Sequence, residues 1–444
     1  MSVATKFGAL VNAATLVNQK EQKSVVLSFL FIFVLMAAYF MLRPVRDAMA
    51  SDWSNTEISV LWNIQFFLSL GFVVLYGFAV ARFRFKYLVP GVYVFFALSF
   101  IAFHFGSSLV ADAFVANSES SNQVLLDKGF YLCLSLFALF HMSVFWSLMS
   151  DLFNQEQSRR LFAIIYMGAS AGAIMGPLCA ALVVQFLGSE ALMLTASCMM
   201  LLPLPIIFYL QGLKHSATRS ESQAADQSQL KIGGNPFAGF KQFFSSPYLI
   251  GIAAFILLYT AISSFAYFEQ TNLLRDYDRD QRTQILALLS LVVNILTFIL
   301  GFFATSRLTT KLGMPLTLAI VPLVMCAALL VLAFAPLLTV LVALQVTRQA
   351  GNYGVTRPAR EMLYTAVSRE SRFKAKPVVD VVVYRGGDAI WGSAFALLSD
   401  GLGLGIAAMA AIGAGIAALW AATGFVLGSV FNKRDKTTAA EVLE

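Results

Sequence analysis

Apolar runs of about 17–25 residues, long enough to cross the hydrocarbon of a bilayer as helices, recur at 24–46, 57–81, 87–108, 128–150, 161–187 and 190–211. After a polar interval they recur at 248–272, 283–306, 314–335, 336–356, 377–399 and 401–430. The pattern predicts an all-α polytopic membrane protein with twelve transmembrane helices in two sets of six. The apolar stretch across Ala335-Pro336 is long enough for two spans joined by a tight turn. The interval contains SATRSESQAADQSQLKIGG, too poor in apolar residues to bury a core, and reads as a linker. Its last part, NPFAGFKQFFSSPYL, puts Phe237, Phe240, Phe243 and Phe244 on one helical face, which suits either an interfacial helix or a plain lead-in to the seventh span. The chain thus divides into a cytoplasmic N-terminal segment 1–23, a six-helix bundle 24–211, a cytoplasmic linker 212–247, a second bundle 248–430 and a cytoplasmic tail 431–444.

Composition agrees with this reading. Apolar residues are 59% of the 444 positions and charged residues 12%, with a mean hydropathy of +0.75; soluble domains run near 45–50% and 25%. The formal charge of +7 is mostly an orientation signal. With both termini in the cytoplasm, Lys6, Lys20, Lys23, Arg82, Arg84, Lys86, Arg159, Arg160 and the basic cluster within 348–376 all fall inside. No basic domain stands outside the membrane, so a nucleic-acid partner is not expected. Cys133, Cys179, Cys198 and Cys326 fall within spans and show no metal or redox spacing, which makes them packing residues. The segment before the first span lacks the separate apolar core of a cleavable signal and suits a short amphipathic surface helix.

Two sets of six invite a search for repetition, because many transporters place their site between repeated bundles near the midplane. Gly77 followed by ARFRFK after the second span corresponds to Gly301 followed by FATSRLTTKLG after the eighth. SDLFNQEQSRRLFAII after the fourth span is echoed by REMLYTAVSRESRFKAKPVV after the tenth, which marks Asp151 and Glu361 as matching acids with a coupling or gating role. GASAGAIMGP, 168–177, has small residues that allow close helix approach and lacks the context of a phosphate loop. No metal cluster or hydrolase elbow is present, so neither catalysis nor a cofactor is expected.

Charges inside spans are costly and usually face a bundle interior or water. Arg43 and Arg46 lie on one helix face, with Pro44 to bend or interrupt the helix and Asp47 beside them. They read either as interfacial anchors whose side chains snorkel to water or as two forks presented to an anion. Glu269-Gln270 occupies in the seventh span the depth that Arg43 has in the first, and could carry a proton, position a basic partner or repel a wrong substrate. In VVDVVVYRGGDAIWG, Asp380, Arg385 and Asp388 share one apolar stretch; an internal salt bridge offsetting burial competes with a mobile element beside Gly386-Gly387. Asn63, His141, Trp146, Tyr166, Gln345, Arg348 and Tyr353 are further candidates for polar contacts and base stacking, against helix-to-helix hydrogen bonds and ordinary belt aromatics.

LRPVRDA in the first span, FWSLMSDLF with SRRLF around the fourth, and TRPAREMLYTAVSRESRFKAK followed by VDVVVYRGGDA resemble the bacterial branch of the ATP/ADP translocase (nucleotide transporter) family over nearly the whole chain. The resemblance implies a major facilitator fold and exchange of nucleoside triphosphates for diphosphates. It implies a substrate role for Arg46 and, through a rougher match, a functional role for Glu269. The superfamily's usual loop motif is degraded to Ala81-Arg82 and Thr305-Ser306-Arg307. The expectation is a secondary transporter of a small phosphorylated anion, with nucleotide exchange by alternating access as the first reading; the alternatives are a proton-coupled carrier of another organic anion or metabolite using Glu269, Asp388 or both, and a transport-inactive receptor or scaffold. A monomer in a bacterial inner membrane, partnered by the lipid bilayer and its substrate, is expected.

Overall fold

A computed structural model describes residues 17–18, 21–82, 85–112, 121–218, 243–303, 305–367 and 378–441, and among them there are helices and no strand. The first five long helices are α1 (Gln22–Ala50), α2 (Asn55–Arg82), α3 (Phe85–Asp112), α4 (Ser121–Leu152) and α5 (Gln155–Leu187). α6 runs Glu190–Leu201 and resumes as Pro203–Thr218. α7 (Pro247–Leu274), α8 (Arg279–Phe303), a short helix Thr305–Lys311 and α9 (Gly313–Phe334) follow. α10 is Leu338–Gly351 continued by a π turn Asn352–Thr356 and by Arg357–Leu363. α11 is Tyr384–Ala396 flanked by π turns Val378–Val383 and Leu397–Gly401, and α12 is Ile406–Glu441. Among the described residues ten helices, α1 to α9 and α12, are long and apolar enough to cross a membrane; α10 and α11, interrupted by π turns, stand beside them.

The boundaries have local causes. Ser54 and Glu57 bond each other's backbone N–H at the start of α2, and Asn154 and Gln157 do the same at α5, reciprocal caps that satisfy donors a helix start leaves open. Pro336 lies in the three-residue break that separates α9 from α10, as the apolar length requires. α1 continues through Pro44 to Ala50, and α10 continues past the expected end at 356 because a π turn, instead of a break, absorbs the irregularity. The N-terminal surface helix, most of the linker and most of the interfacial segment lie outside the described residues.

One compact unit comprises 1–49, 67–230 and 278–291. Its core is aromatic: Phe31 of α1 meets Tyr93 and Phe145 edge-on at 5.5 and 4.9 Å, and Phe100 meets Phe130 and Phe137 at 5.7 and 5.8 Å. The glycines of 168–176 lay α5 directly on α1. A Cβ at Gly168 would lie 2.6 Å from the Phe29 carbonyl oxygen, and those at Gly172 and Gly176 would meet the Phe33 and Ala37 oxygens as closely. Only a residue without a side chain permits that approach. At the N-terminal end of the unit Glu21 accepts from Gln157 and Arg160. Burial would raise its carboxyl, but these bonds and the Asn18 N–H hold it below the usual carboxylate range. At the opposite end Arg279 pairs with buried Asp127 at 2.9 Å, and Asp280 accepts the Ser189 N–H at 2.8 Å where α6 begins.

The second unit comprises 50–66, 231–277 and 292–444. Trp420 of α12, fully buried, sits between Phe255 and Tyr259 of α7 at 5.5 and 5.6 Å. Gly424 and Gly428 bring α12 against the backbone of Leu318 and Pro315 in α9. The first turns of α2 pack here: Trp62 lies on Gly392 of α11 and 5.1–5.2 Å from the rings of Phe268 and Tyr267. Large exposed side chains such as Phe67, Phe78, Phe186 and Phe334 suit surfaces that meet lipid chains, where apolar side chains need no protein cover.

Candidate functional site

In the second unit a polar cluster is built by α7, α10 and α11 around Arg348. Gln345 and Arg348 are three apart on α10 and share a face. Gln345 donates from Nε2 to the Ala266 carbonyl and to Gln270 Oε1, at 2.9 and 2.8 Å. That fixes its amide so that Oε1 accepts from Arg348 Nε and Nη2 at 3.0 and 2.8 Å. Arg348 Nη1 donates to Ser263 at 2.8 Å. Arg348 is 6% exposed, and every one of these partners is neutral. One turn on, Asn352 donates to the Tyr259 hydroxyl at 2.9 Å, and the Tyr259 ring lies 6.0 Å from that of Tyr384 on α11. Arg385 and Asp388 face each other at 3.8 Å, so the internal ion pair anticipated in the sequence forms. The π turn beginning at Asn352 lies immediately beyond Arg348, and such turns are frequent at functional sites.

Glu269 lies one position before Gln270 and therefore points elsewhere. It is 1% exposed, and neither carboxyl oxygen has a hydrogen-bond partner. Beside it is a cavity of about 280 Å³ lined by residues that include Asn55, Asn272, Arg275, Ser399 and Asp400. Asp400 accepts from Asn55 Nδ2, Thr56 N–H and the Thr56 hydroxyl, each at 2.8 Å. Arg275 donates to the carbonyls of Ser51 and Trp53.

In the first unit Asp47 takes both arginines. Arg46 donates to its Oδ1 from Nε and Nη2 at 2.9 and 2.6 Å, and Arg43 approaches Oδ2 at 3.7 Å. Arg46 also donates to Ser135 at 3.3 Å and lies 5.1 Å from the Tyr131 ring centre on α4. The side chains of Arg43, Arg46 and Asp47 are 22%, 13% and 9% exposed. The trio carries one net positive charge. His141 is sandwiched by Tyr39 and Phe137 at 4.9 and 5.0 Å, with Nδ1 on the Phe137 carbonyl and Nε2 unpartnered. Trp146 stacks near Tyr166 at 6.3 Å, and Tyr166 is exposed.

The remaining candidates are dispersed. Asn63 donates to the Ser59 carbonyl and the Ser393 hydroxyl. Tyr353 is exposed, Glu361 accepts from Arg360 at 3.2 Å, and Asp151 is exposed at the end of α4. Asp380 belongs to the π turn that opens α11, and its side chain lies outside the description. Ser263, Tyr259, Tyr384, Asn55, Arg275 and Asp400 join these groupings without having been singled out in the sequence. Neutral hydroxyls lower the hydropathy of a span far less than charges do, and Arg275 and Asp400 fall just beyond the expected span ends.

The sequence pattern of the Major Facilitator Superfamily matches residues 28–365. This chain belongs to the major facilitator superfamily. The superfamily is one of membrane transporters and not of enzymes. Solved structures agree on the fold. A bacterial homologue of the iron transporter ferroportin in an inward-facing state is 15% identical with a TM-score of 0.61, covering 94% of this chain and 99% of that one. The nucleoside transporter NupG is 12% identical with a TM-score of 0.61, covering 94% and 100%. A bacterial homologue of the human lysosomal transporter Spinster, inward-facing and unoccupied, is 15% identical with a TM-score of 0.57, covering 94% and 99%. Comparison with curated protein sequences gives no match. The all-helical architecture expected from the apolar runs and the facilitator fold implied by the resemblance are therefore the fold of this protein, and it is an integral multi-pass membrane transporter working by alternating access.

Proposed function

We propose that this facilitator carries a small phosphorylated anion, in the first instance a nucleotide exchanged for another, across a bacterial inner membrane with both termini in the cytoplasm. The observation that carries the reading is Arg348: a guanidinium, 6% exposed, held by Gln345 and Ser263 and with no carboxylate in ion-pair contact among the described residues. A buried cation is costly unless an opposite charge completes its shell, and a phosphate or carboxylate group supplies one through charge-assisted, bidentate bonds. Asp388 lies within electrostatic reach but pairs with Arg385. The motif resemblance supplies the nucleotide; the superfamily match supports a transported solute without naming it.

Liposomes carrying the protein are expected to take up labelled ATP only when preloaded with ADP. Arg348→Gln should lower that exchange at least about tenfold, since a hydrogen bond to a charged group is worth about 1.5–3 kcal/mol, and should abolish stabilisation by nucleotides in a thermal-shift assay. Uptake driven by an imposed pH gradient with no internal substrate would replace exchange by proton coupling, the reading that Glu269 favours. Binding of nucleotide without flux would leave a receptor.

A further inference from the structure

Arg348 is held unlike Arg46, Arg279 or Arg360. Those three each pair with a carboxylate, of Asp47, Asp127 and Glu361, whereas the acceptors of Arg348 are the Gln345 amide oxygen and the Ser263 hydroxyl. A guanidinium has five N–H groups. Three of them are used, at Nε and Nη2 on Gln345 and at Nη1 on Ser263. Two are left, the number that one phosphate or carboxylate takes in a bidentate contact. Gln345 meets two opposite needs: its Nε2 donates to the Ala266 carbonyl at 2.9 Å while its Oε1 accepts from Arg348. A carboxylate in its place would face a carbonyl oxygen with no proton between them.

Ser263 is under no such constraint. It lies on α7 and is partly exposed. Its hydroxyl accepts from Arg348 Nη1 at 2.8 Å, and no acceptor among the described residues takes its own O–H, which stays available to a solute beside the guanidinium. Arg348, Arg385 and Asp388 together carry one surplus positive charge, since Asp388 pairs with Arg385. A carboxylate at 263 would take Nη1 in a salt bridge and leave no surplus. We propose that Ser263 is the charge selector of the Arg348 site: its neutral hydroxyl holds the guanidinium in place, leaves the positive charge to the solute and adds one O–H donor to its shell. Ser263 is thus a positioning residue that decides specificity for anions through Arg348. The inference deepens the anion reading above and rests on it for the solute, whereas the charge coupling between 263 and Arg348 is read without any solute.

The test uses purified full-length protein in nanodiscs and compares S263D with S263N, which share a shape and differ by one charge. Thermal-shift titrations with inorganic phosphate, pyrophosphate, ADP and ATP at fixed ionic strength should give dissociation constants at least about tenfold weaker in S263D than in S263N, a factor that corresponds to ~1.4 kcal/mol. The ratio should grow with the charge of the anion. Without ligand S263D should melt above S263N, and the difference should vanish when both carry R348Q, which assigns it to the pair. Equal anion affinity in the two variants, or a stability difference that R348Q leaves intact, is what a mere packing role of Ser263 would give, and either result overturns the proposal. If S263D does not fold, S263T, which keeps the hydroxyl, is expected to bind the anions severalfold more tightly than S263A, and equal binding overturns it. A wild type stabilised by phosphate or pyrophosphate but not by nucleotides would refute the nucleotide reading alone; one that none of these anions stabilises would overturn both.

Discussion

At the scale of single residues, Asp47 decides what the two arginines of the first span can do. Sequence spacing places Arg43 and Arg46 on one face but cannot show which of the two donors the Asp47 carboxylate accepts from, because that depends on the rotamers the packed helices select. In the fold it binds Arg46 through two nitrogens and Arg43 at 3.7 Å, so the pair is held in place and partly neutralised. Asp47→Asn is therefore expected to lower stability by about 1–3 kcal/mol, the cost of leaving partly buried charges without their partner. Arg43→Gln, which removes the longer contact, should cost less. Thermal unfolding followed on the same detergent-purified variants measures both, and equal stability in D47N would mean that Asp47 does not hold the pair. Arg348 differs in kind: its partners are neutral, and this could be seen only once Gln345, Gln270 and Ser263 from two helices met.

At the scale of elements, small residues and π turns carry the organisation. The 168–177 run was legible as a close-approach surface, but its partner was not. Gly168, Gly172 and Gly176 match the Phe29, Phe33 and Ala37 carbonyls in steps of four residues, the repeat of one helix face. Gly172→Leu should separate α1 from α5 and cost about 1–3 kcal/mol or more by overpacking; a lowered melting temperature or loss of monodisperse protein on gel filtration would register it, and full stability would refute the contact. The π turns of α10 and α11 had no sequence signal, since apolar periodicity does not distinguish a five-residue from a four-residue hydrogen-bond step. They explain why α10 runs on to Leu363 and why Asp400 faces the start of α2.

At the scale of the whole molecule, Asp400 holds the start of α2 through Asn55 and Thr56, and the prediction is that this clasp opens and closes during transport. With the four native cysteines replaced, T56C together with D400C, bridged by a short bismaleimide, should stop transport of the labelled substrate while either single variant treated in the same way keeps it. Unimpeded transport by the bridged protein would show that the clasp is static. The amino-acid sequence by itself determined the apolar spans and the costly charges within them, because hydropathy and length act locally and a bilayer rewards them directly. Tertiary structure alone decided which charges are neutralised. Asp47 partly neutralises Arg43 and Arg46, Gln345 and Ser263 give Arg348 neutral hydrogen-bond partners, and both Glu269 oxygens are left without one, since the outcome depends on which rotamers and neighbouring helices meet where no water can replace them.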